Sequence, residues 1–502
     1  MSPPLPRADM VGTPVAEVRS SSDAMAGADP FAALGPALDA AREIAGTYLD
    51  GLRDRPVSRA ATVTEMAAAL DQPLPETGTD AAAAVREWFE RAGPGIVASP
   101  GPRFFGFVNG GSLPAALAGD WLASALDQNL VAWVSSPAGA QTETVVIRWL
   151  LDLFGLPPGW DGTLTTGATM ANLVGLAAAR QWVGERMGFD PAADGLSGNP
   201  RIPVVVSSLT HASIRKALAT LGLGRTATIE IPAVGGALDP AGVREALAGL
   251  DGPAIVVAGL GEVNTGASDD LAAIADARDT HAPGAWLHVD AAFGLFAALS
   301  PRTAELVIGV ERADSVATDG HKWLNVPYDC GVALLRDGAT ARTAFAAGAS
   351  YLAPAAGDGP APSALGPEMS RRMRALPVWC ALRSAGRAGY RAMVERCLDN
   401  AAAFAAWVGA TPGLELLAPA PTIIVCFRVA PAGMDDTETD EVNRRVVAGL
   451  QADGRAFVSG TVWEGKAAIR AAFDNWATGP ADVAILQAAI LDVAARESTG
   501  LG

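Results

Sequence analysis

Histidine and cysteine are scarce here, with 4 of each in 502 residues. Cys330, Cys380, Cys397 and Cys426 lie far apart and form no CxxC pair, which excludes a disulfide framework and fits free, buried thiols in a reducing compartment. His211, His281, His288 and His321 form no HExxH, so no protein-built metal site is expected. Positive charge is also short: 37 Lys+Arg against 54 Asp+Glu give a formal net charge of −17. Without a basic cluster, neither nucleic acid nor an anionic membrane is an expected partner. Apolar stretches are broken by Gly, Asp or Arg before membrane-spanning length. The start, Met1-Ser-Pro-Pro, lacks the charged and apolar regions of a signal peptide. The expectation is a soluble, cytoplasmic protein. At 50% hydrophobic and 18% charged, the chain can bury a large core, in two domains rather than one.

Residues 1–30 read as a loose arm, and helical spacing follows over Phe31–Leu52 and Asp80–Ala92, with Asp80 as a cap. Residues 1–100 are therefore expected to be an N-terminal helical segment packed on the body or on a second subunit. Gly101–Gly111 carries three aromatics, Phe104, Phe105 and Phe107, before small residues, which suits either a pocket wall or a turn after a core strand. From residue 202 apolar runs alternate with helical ones. Ile202–Ser207, Thr226–Ile231, Ala254–Leu260, Trp286–Ala291, Val307–Val310 and Val332–Leu335 read as strands. Such alternation means a mostly parallel sheet covered on both faces, with ligands beyond the strand carboxyl ends. Residues 101–384 are assigned to this large α/β domain and 385–502 to a smaller α+β domain.

Chemistry concentrates near those strand ends. Lys322 lies in Asp314-Ser-Val-Ala-Thr-Asp-Gly-His321-Lys322-Trp323, where an imidazole and an indole flank an amine suited to Schiff-base formation. A loop lysine beside a packed tryptophan has the same letters. Thr165-Thr-Gly-Ala168-Thr169 opens a helix, offering free N–H groups to a phosphate, although ordinary capping explains it too. Asp290 ends a strand, where a carboxylate needs a cation such as a protonated pyridine nitrogen, or hydrogen-bond donors. His211 follows another strand and either stacks on a ring or caps the next helix.

With these residues in hand, the chain from about residue 30 onward resembles the pyridoxal-phosphate-dependent group II amino acid decarboxylases, the aromatic amino acid and glutamate decarboxylase family. The matching motifs are Leu287-His-Val-Asp290-Ala-Ala292, Asp314-Ser315…His321-Lys322-Trp323, Phe104-Phe105-Gly-Phe107, Ser136-Pro137…Glu143, His211-Ala-Ser213 and Ser370-Arg-Arg…Arg374. The resemblance implies the aspartate-aminotransferase-like fold (fold type I), a seven-stranded, mostly parallel sheet with helices on both faces plus a small C-terminal α+β domain. It implies pyridoxal 5'-phosphate bound covalently to Lys322, Asp290 against the ring nitrogen, His211 stacked on the ring and Ala292 beneath it. Ala168, Thr169, Ser315 and His321 would hold the phosphate, with Ser370 from the partner of a homodimer whose sites lie at the interface. Phe107, Val108 and Asn109 would line the pocket for an L-amino acid substrate whose side chain, aromatic, acidic or small, these residues leave open. The implied reaction is decarboxylation to an amine and CO2.

Two departures bear on that reaction. The family's decarboxylases usually carry a loop tyrosine ahead of the Arg-Arg pair as proton donor, whereas the stretch after Tyr351 holds no tyrosine and puts Ser363 nearest its place. Serine is a weak acid, so Tyr351, His211 or water would have to serve. Aldehyde formation by oxidative decarboxylation–deamination, or carbon–carbon lysis, is the alternative; an inactive scaffold is the non-enzymatic one. The other departure is Glu262 in Gly261–Gly266, a negative charge near the ring or substrate if it faces inward.

Overall fold

Apolar residues of both parities along the central strands require cover on two faces, and the computed structural model provides it. It describes residues 29, 31–347 and 359–499, so most of the expected arm over residues 1–30 lies outside them. The chain forms two compact units, one ending at Ile96 without residues 55–59, the other made of 55–59 and everything from Val97.

The first unit holds helices α1 (Leu34–Asp50), α2 (Val63–Leu70) and α3 (Ala81–Ala92). Thr62 and Glu65 close a capping box on α2, and Asp80 caps α3 by accepting from the Ala83 N–H. Arg86 of α3 pairs with Glu43 of α1 at 2.9 Å.

The second unit contains helices α4 (Pro114–Leu126), α5 (Pro137–Phe154), α6 (Ala168–Arg186), α7 (Ala212–Thr220), α8 (Pro240–Ala248), α9 (Leu271–Asp279), α10 (Gly338–Ala344), α11 (Ala375–Ala410), α12 (Asp436–Asp453) and α13 (Pro480–Thr499). Its large sheet uses β1 (Asp161–Thr165), β2 (Val204–Ser207), β3 (Ile229–Ile231), β6 (Ala254–Gly259), β7 (Ala285–Asp290), β8 (Ser315–Asp319) and β9 (Gly331–Leu335); a small hairpin, β4 (Ala233–Val234) and β5 (Ala237–Leu238), branches off. The seven strands run β1-β9-β8-β7-β6-β2-β3, parallel from β8 to β3, with β9 alone reversed and β1 running again in the common direction. Ile255 and Val257 pack in one core with α6, while Val256 and Ala258 pack in the other. That period of two, buried on both sides, produces the continuous apolar run seen in the sequence.

The second sheet, order β10-β11-β13-β12, is antiparallel: β10 (Leu414–Leu416), β11 (Ile424–Val429), β12 (Ser459–Trp463) and β13 (Lys466–Ala472). The expected step near residue 385 falls inside α11, beside Gly386, whose φ of 60° interrupts the helix.

Two strand assignments change. Val307–Val310 is not a strand: it lies across two 3-10 turns, Ala304–Val307 and Val310–Arg312. Between them Gly309 takes φ 96°, and a Cβ there would sit 2.4 Å from the Ala272 nitrogen, so an extended run cannot pass. The strand is Ser315–Asp319, inside the segment that reads as polar. Asp161–Thr165, too polar to signal a strand, pairs with β9 from Asp161↔Leu335 to Thr165↔Gly331. No helix among the described residues is long and apolar enough to cross a membrane.

Candidate active site

Strands β2, β6 and β7 end at Ser207, Gly259 and Asp290, and all three residues open on one cleft. Lys322, His211 and Ala292 share its wall. The parallel register, Gly259↔Asp290 and Asp290↔Ala317, aligns these ends, so the cleft is a direct product of strand direction.

Asp290 is held from three sides. Its Oδ1 accepts from the Ala292 N–H at 3.2 Å, and its Oδ2 from the Asn172 amide at 3.0 Å and the Ser213 hydroxyl at 3.4 Å. Asn172, fully buried on α6, uses its own carbonyl oxygen to accept from His288 Nε2 at 2.9 Å. His288 Nδ1 meets the Ser315 hydroxyl at 2.8 Å, and Ser315 accepts from Trp286 Nε1 at 2.9 Å. Burial holds the His288 imidazole near 4, hence neutral, and a neutral ring gives every bond of this chain one direction: Trp286 to Ser315 to His288 to Asn172 to Asp290.

His211 both caps α7 and faces the cleft. Its Nδ1 accepts the Ser213 N–H at 3.2 Å, which places the neutral ring's hydrogen on Nε2. Burial lowers its basicity and the Asp290 charge partly restores it.

Lys322 lies just past β8, one-fifth exposed, with Nζ 3.2 Å from Asp319 Oδ2. The preceding His321 places Nε2 3.5 Å from Asp319 Oδ1 and stacks on Tyr328 at 4.2 Å. Gly110 is required behind the lysine, because a Cβ there would come within 1.8 Å of the Lys322 carbonyl oxygen.

Several expected positions lie elsewhere. Ser315 is at the wrong end of β8: four residues, roughly 13 Å, separate it from Asp319 at the cleft end. Its hydroxyl is bonded to His288 and Trp286, so it cannot hold a phosphate there. Phe107, Val108 and Asn109 are absent from the cleft wall. Val108 is turned into the core, Phe107 is 58% exposed with φ 55°, and Asn109 accepts from the Tyr328 hydroxyl at 2.6 Å. Ala168 is buried at the start of α6, Thr169 is exposed beside it, and Ser370 is exposed. Glu262 lines the cleft but turns its carboxylate onto its own loop, accepting from the Asn264 and Thr265 N–H groups. Ser363 donates to the Val131 carbonyl at 2.6 Å, and Tyr351 lies outside the described residues.

Sequence reading gave no site role to Asn172, Ser213 or Asp319. A buried amide within the apolar run Met170–Ala179 was the available signal for the first; Asp319, two residues before His321, was in plain view.

An amine, a carboxylate at a strand end, an imidazole and a small alanine on one cleft wall form a set that fits pyridoxal phosphate. The pyridoxal-dependent decarboxylase conserved domain matches residues 64–430. The chain belongs to that family. Among relatives, it is 29% identical over 432 residues to an aromatic-L-amino-acid decarboxylase of Bacillus atrophaeus, covering 84% of this chain and 87% of the relative. It is 28% identical over 403 residues to a phenylacetaldehyde synthase of Arabidopsis thaliana, covering 76% and 79%. The crystal structure of an Oryza sativa TDC with PLP and tryptamine superposes with a TM-score of 0.86 at 27% identity, covering 94% of this chain and all (100%) of that one. The fold is therefore fold type I, the cofactor is pyridoxal 5'-phosphate, and this family member is a pyridoxal-phosphate-dependent decarboxylase acting on an amino acid.

Proposed function

We propose that the enzyme removes the carboxyl group of an L-amino acid as CO2 and releases the corresponding amine. The observation that carries this reading is the meeting of Lys322, Asp290 and His211 in one cleft. Pyridoxal phosphate, when bound, supplies an electron sink for the pair left at the substrate Cα as its bond to the carboxyl carbon breaks. The residues of the chain prepare that event. The Lys322 amine anchors the cofactor covalently and is available to carry a proton. Asp290, fixed by Asn172, Ser213 and the Ala292 N–H, keeps the ring nitrogen protonated through its charge. His211 would pack against the cofactor ring with Nε2–H free to meet the substrate carboxylate, and the small Ala292 would leave room for the ring. Ala168, Thr169 and His321 receive the phosphate, with Ser370 of a second copy of this chain. A homodimer is in keeping with the apolar side chains that α4 leaves exposed, Trp121, Leu122 and Leu126.

A second reading, oxidative release of an aldehyde, is favoured by one observation: Ser363, nearest in register to the usual loop acid, is engaged with a backbone carbonyl. Incubation with a panel of L-amino acids, with and without air, separates the two. Amine and CO2 without oxygen uptake are expected. Aldehyde, ammonia and hydrogen peroxide with oxygen uptake would replace the first reading by the second.

A further inference from the structure

Gly167, at φ 149°, caps the start of helix α6, and the first N–H of the helix, that of Ala168, meets the end of β8. Such an N-terminus attracts an anion. The structure supplies one from within the chain. Asp319, 3% exposed, accepts the Ala168 N–H on Oδ1 at 2.5 Å. The same Oδ1 faces His321 Nε2, while Oδ2 faces the Lys322 amine. One carboxylate thus engages a helix N-terminus, an imidazole and an amine, three groups that the reading above assigns to the cofactor. His321 Nδ1, buried beside it, has no hydrogen-bond partner among the described residues.

We propose that Asp319 is an internal competitor of the cofactor's phosphate, a positioning residue that sets how strongly pyridoxal phosphate is held. It rests on the reading that the α6 N-terminus receives the phosphate. In the cofactor-free protein Asp319 keeps the Lys322 amine and the helix end in place and compensates their charge. When the phosphate arrives, its negative charge meets a fixed carboxylate of the same sign in a poorly solvated corner, where repulsion is weakly screened. Removing the Asp319 charge while keeping its shape relieves that repulsion. The effect is confined to the phosphate, because the ring lies toward Asp290.

The test compares affinity for pyridoxal phosphate with affinity for pyridoxal, which lacks the phosphate, by tryptophan fluorescence on cofactor-stripped protein. Asp319→Asn is expected to raise the preference for pyridoxal phosphate over pyridoxal at least tenfold. Asp319→Ser, which also removes the charge and keeps a short acceptor for the Ala168 N–H, serves if the amide variant does not fold. A preference that is unchanged or lower, or an equal gain for both compounds, overturns the proposal. Thr169→Asp is the control for the phosphate position and is expected to abolish the preference. If Thr169→Asp leaves the preference intact, the phosphate lies elsewhere, and both that placement and the proposal fall. If Thr169→Asp abolishes it and neither Asp319 variant raises it, the proposal alone fails.

Discussion

Asn172 and Asp290, 118 positions apart in the chain, meet at 3.0 Å, and Asn172 is in turn held by His288 at 2.9 Å. The pair joins the start of α6 to the end of β7. A buried side chain outside the cleft wall thereby helps set where the cleft carboxylate points. Asn172→Ala is expected to leave Asp290 free to rotate and to lower turnover about tenfold or more, with the fold retained, as losing one bond of a buried network does. The absorbance of the bound cofactor should shift with it. Unchanged turnover and spectrum would show that Ser213 and the Ala292 N–H suffice to orient Asp290.

Lys322 is the amine on the cleft wall, and it is held by Asp319 at 3.2 Å. Borohydride treatment of the cofactor-loaded enzyme should leave a stable adduct on the peptide containing Lys322, read by mass spectrometry. Lys322→Ala should yield none. An adduct on another lysine of that variant would refute the assignment.

Asp474 carries a buried Oδ2 with no hydrogen-bond partner among the described residues. Burial raises its carboxyl from 3.8 to about 7, against the pull of its own and the Asn109 N–H and of the Lys322 and Arg470 charges. The folded chain therefore holds this proton more tightly than the unfolded one. Stability is retained below about 4 and falls as pH rises through about 7. Asp474→Asn should stabilise the protein on the order of 2–4 kcal/mol at pH 8 and change little at pH 4. Calorimetry at both pH values checks this; destabilisation at pH 8 would show that Lys322 and Arg470 require the charge.

Arg371 and Glu143 form a buried ion pair at 2.8 Å, with side chains 3% and 2% exposed. The same Arg371 nitrogen reaches Thr163 and the Leu164 carbonyl, tying α5 and β1 to the segment ahead of α11. Arg371→Ala strands Glu143 without its cation and should cost about 3–5 kcal/mol. Denaturant unfolding measures it. Replacing both residues with apolar ones of similar size should cost much less, and equal costs would mean that packing rather than charge accounts for the loss.

The alternation of apolar strands with helices was legible from residue 202 onward, because strands buried on both faces need no partner to announce themselves. The failures have local causes. Val307–Val310 is apolar enough for a strand, but Gly309 turns the backbone to φ 96°. Asp161–Thr165 is a strand only because β9 pairs with it along its whole length.

Asp290 and His211 were legible in the sequence because one ends and the other follows a recognisable strand, and parallel strands end together; Lys322 was legible from its neighbours His321 and Trp323, although the strand that precedes it was not recognised. What lies around them was decided only by the tertiary structure. Ser315 and Asp319 occupy one short strand, and which of them reaches the cleft depends on where that strand begins and which way it runs. Val108 and Phe107 are neighbours, yet one is buried and the other 58% exposed, a difference set by the left-handed backbone at Phe107. The partners of Asp290 come from α6, α7 and the turn after β7. Hydrogen bonds between such distant residues depend on a few ångströms of packing, which no local pattern of residues encodes.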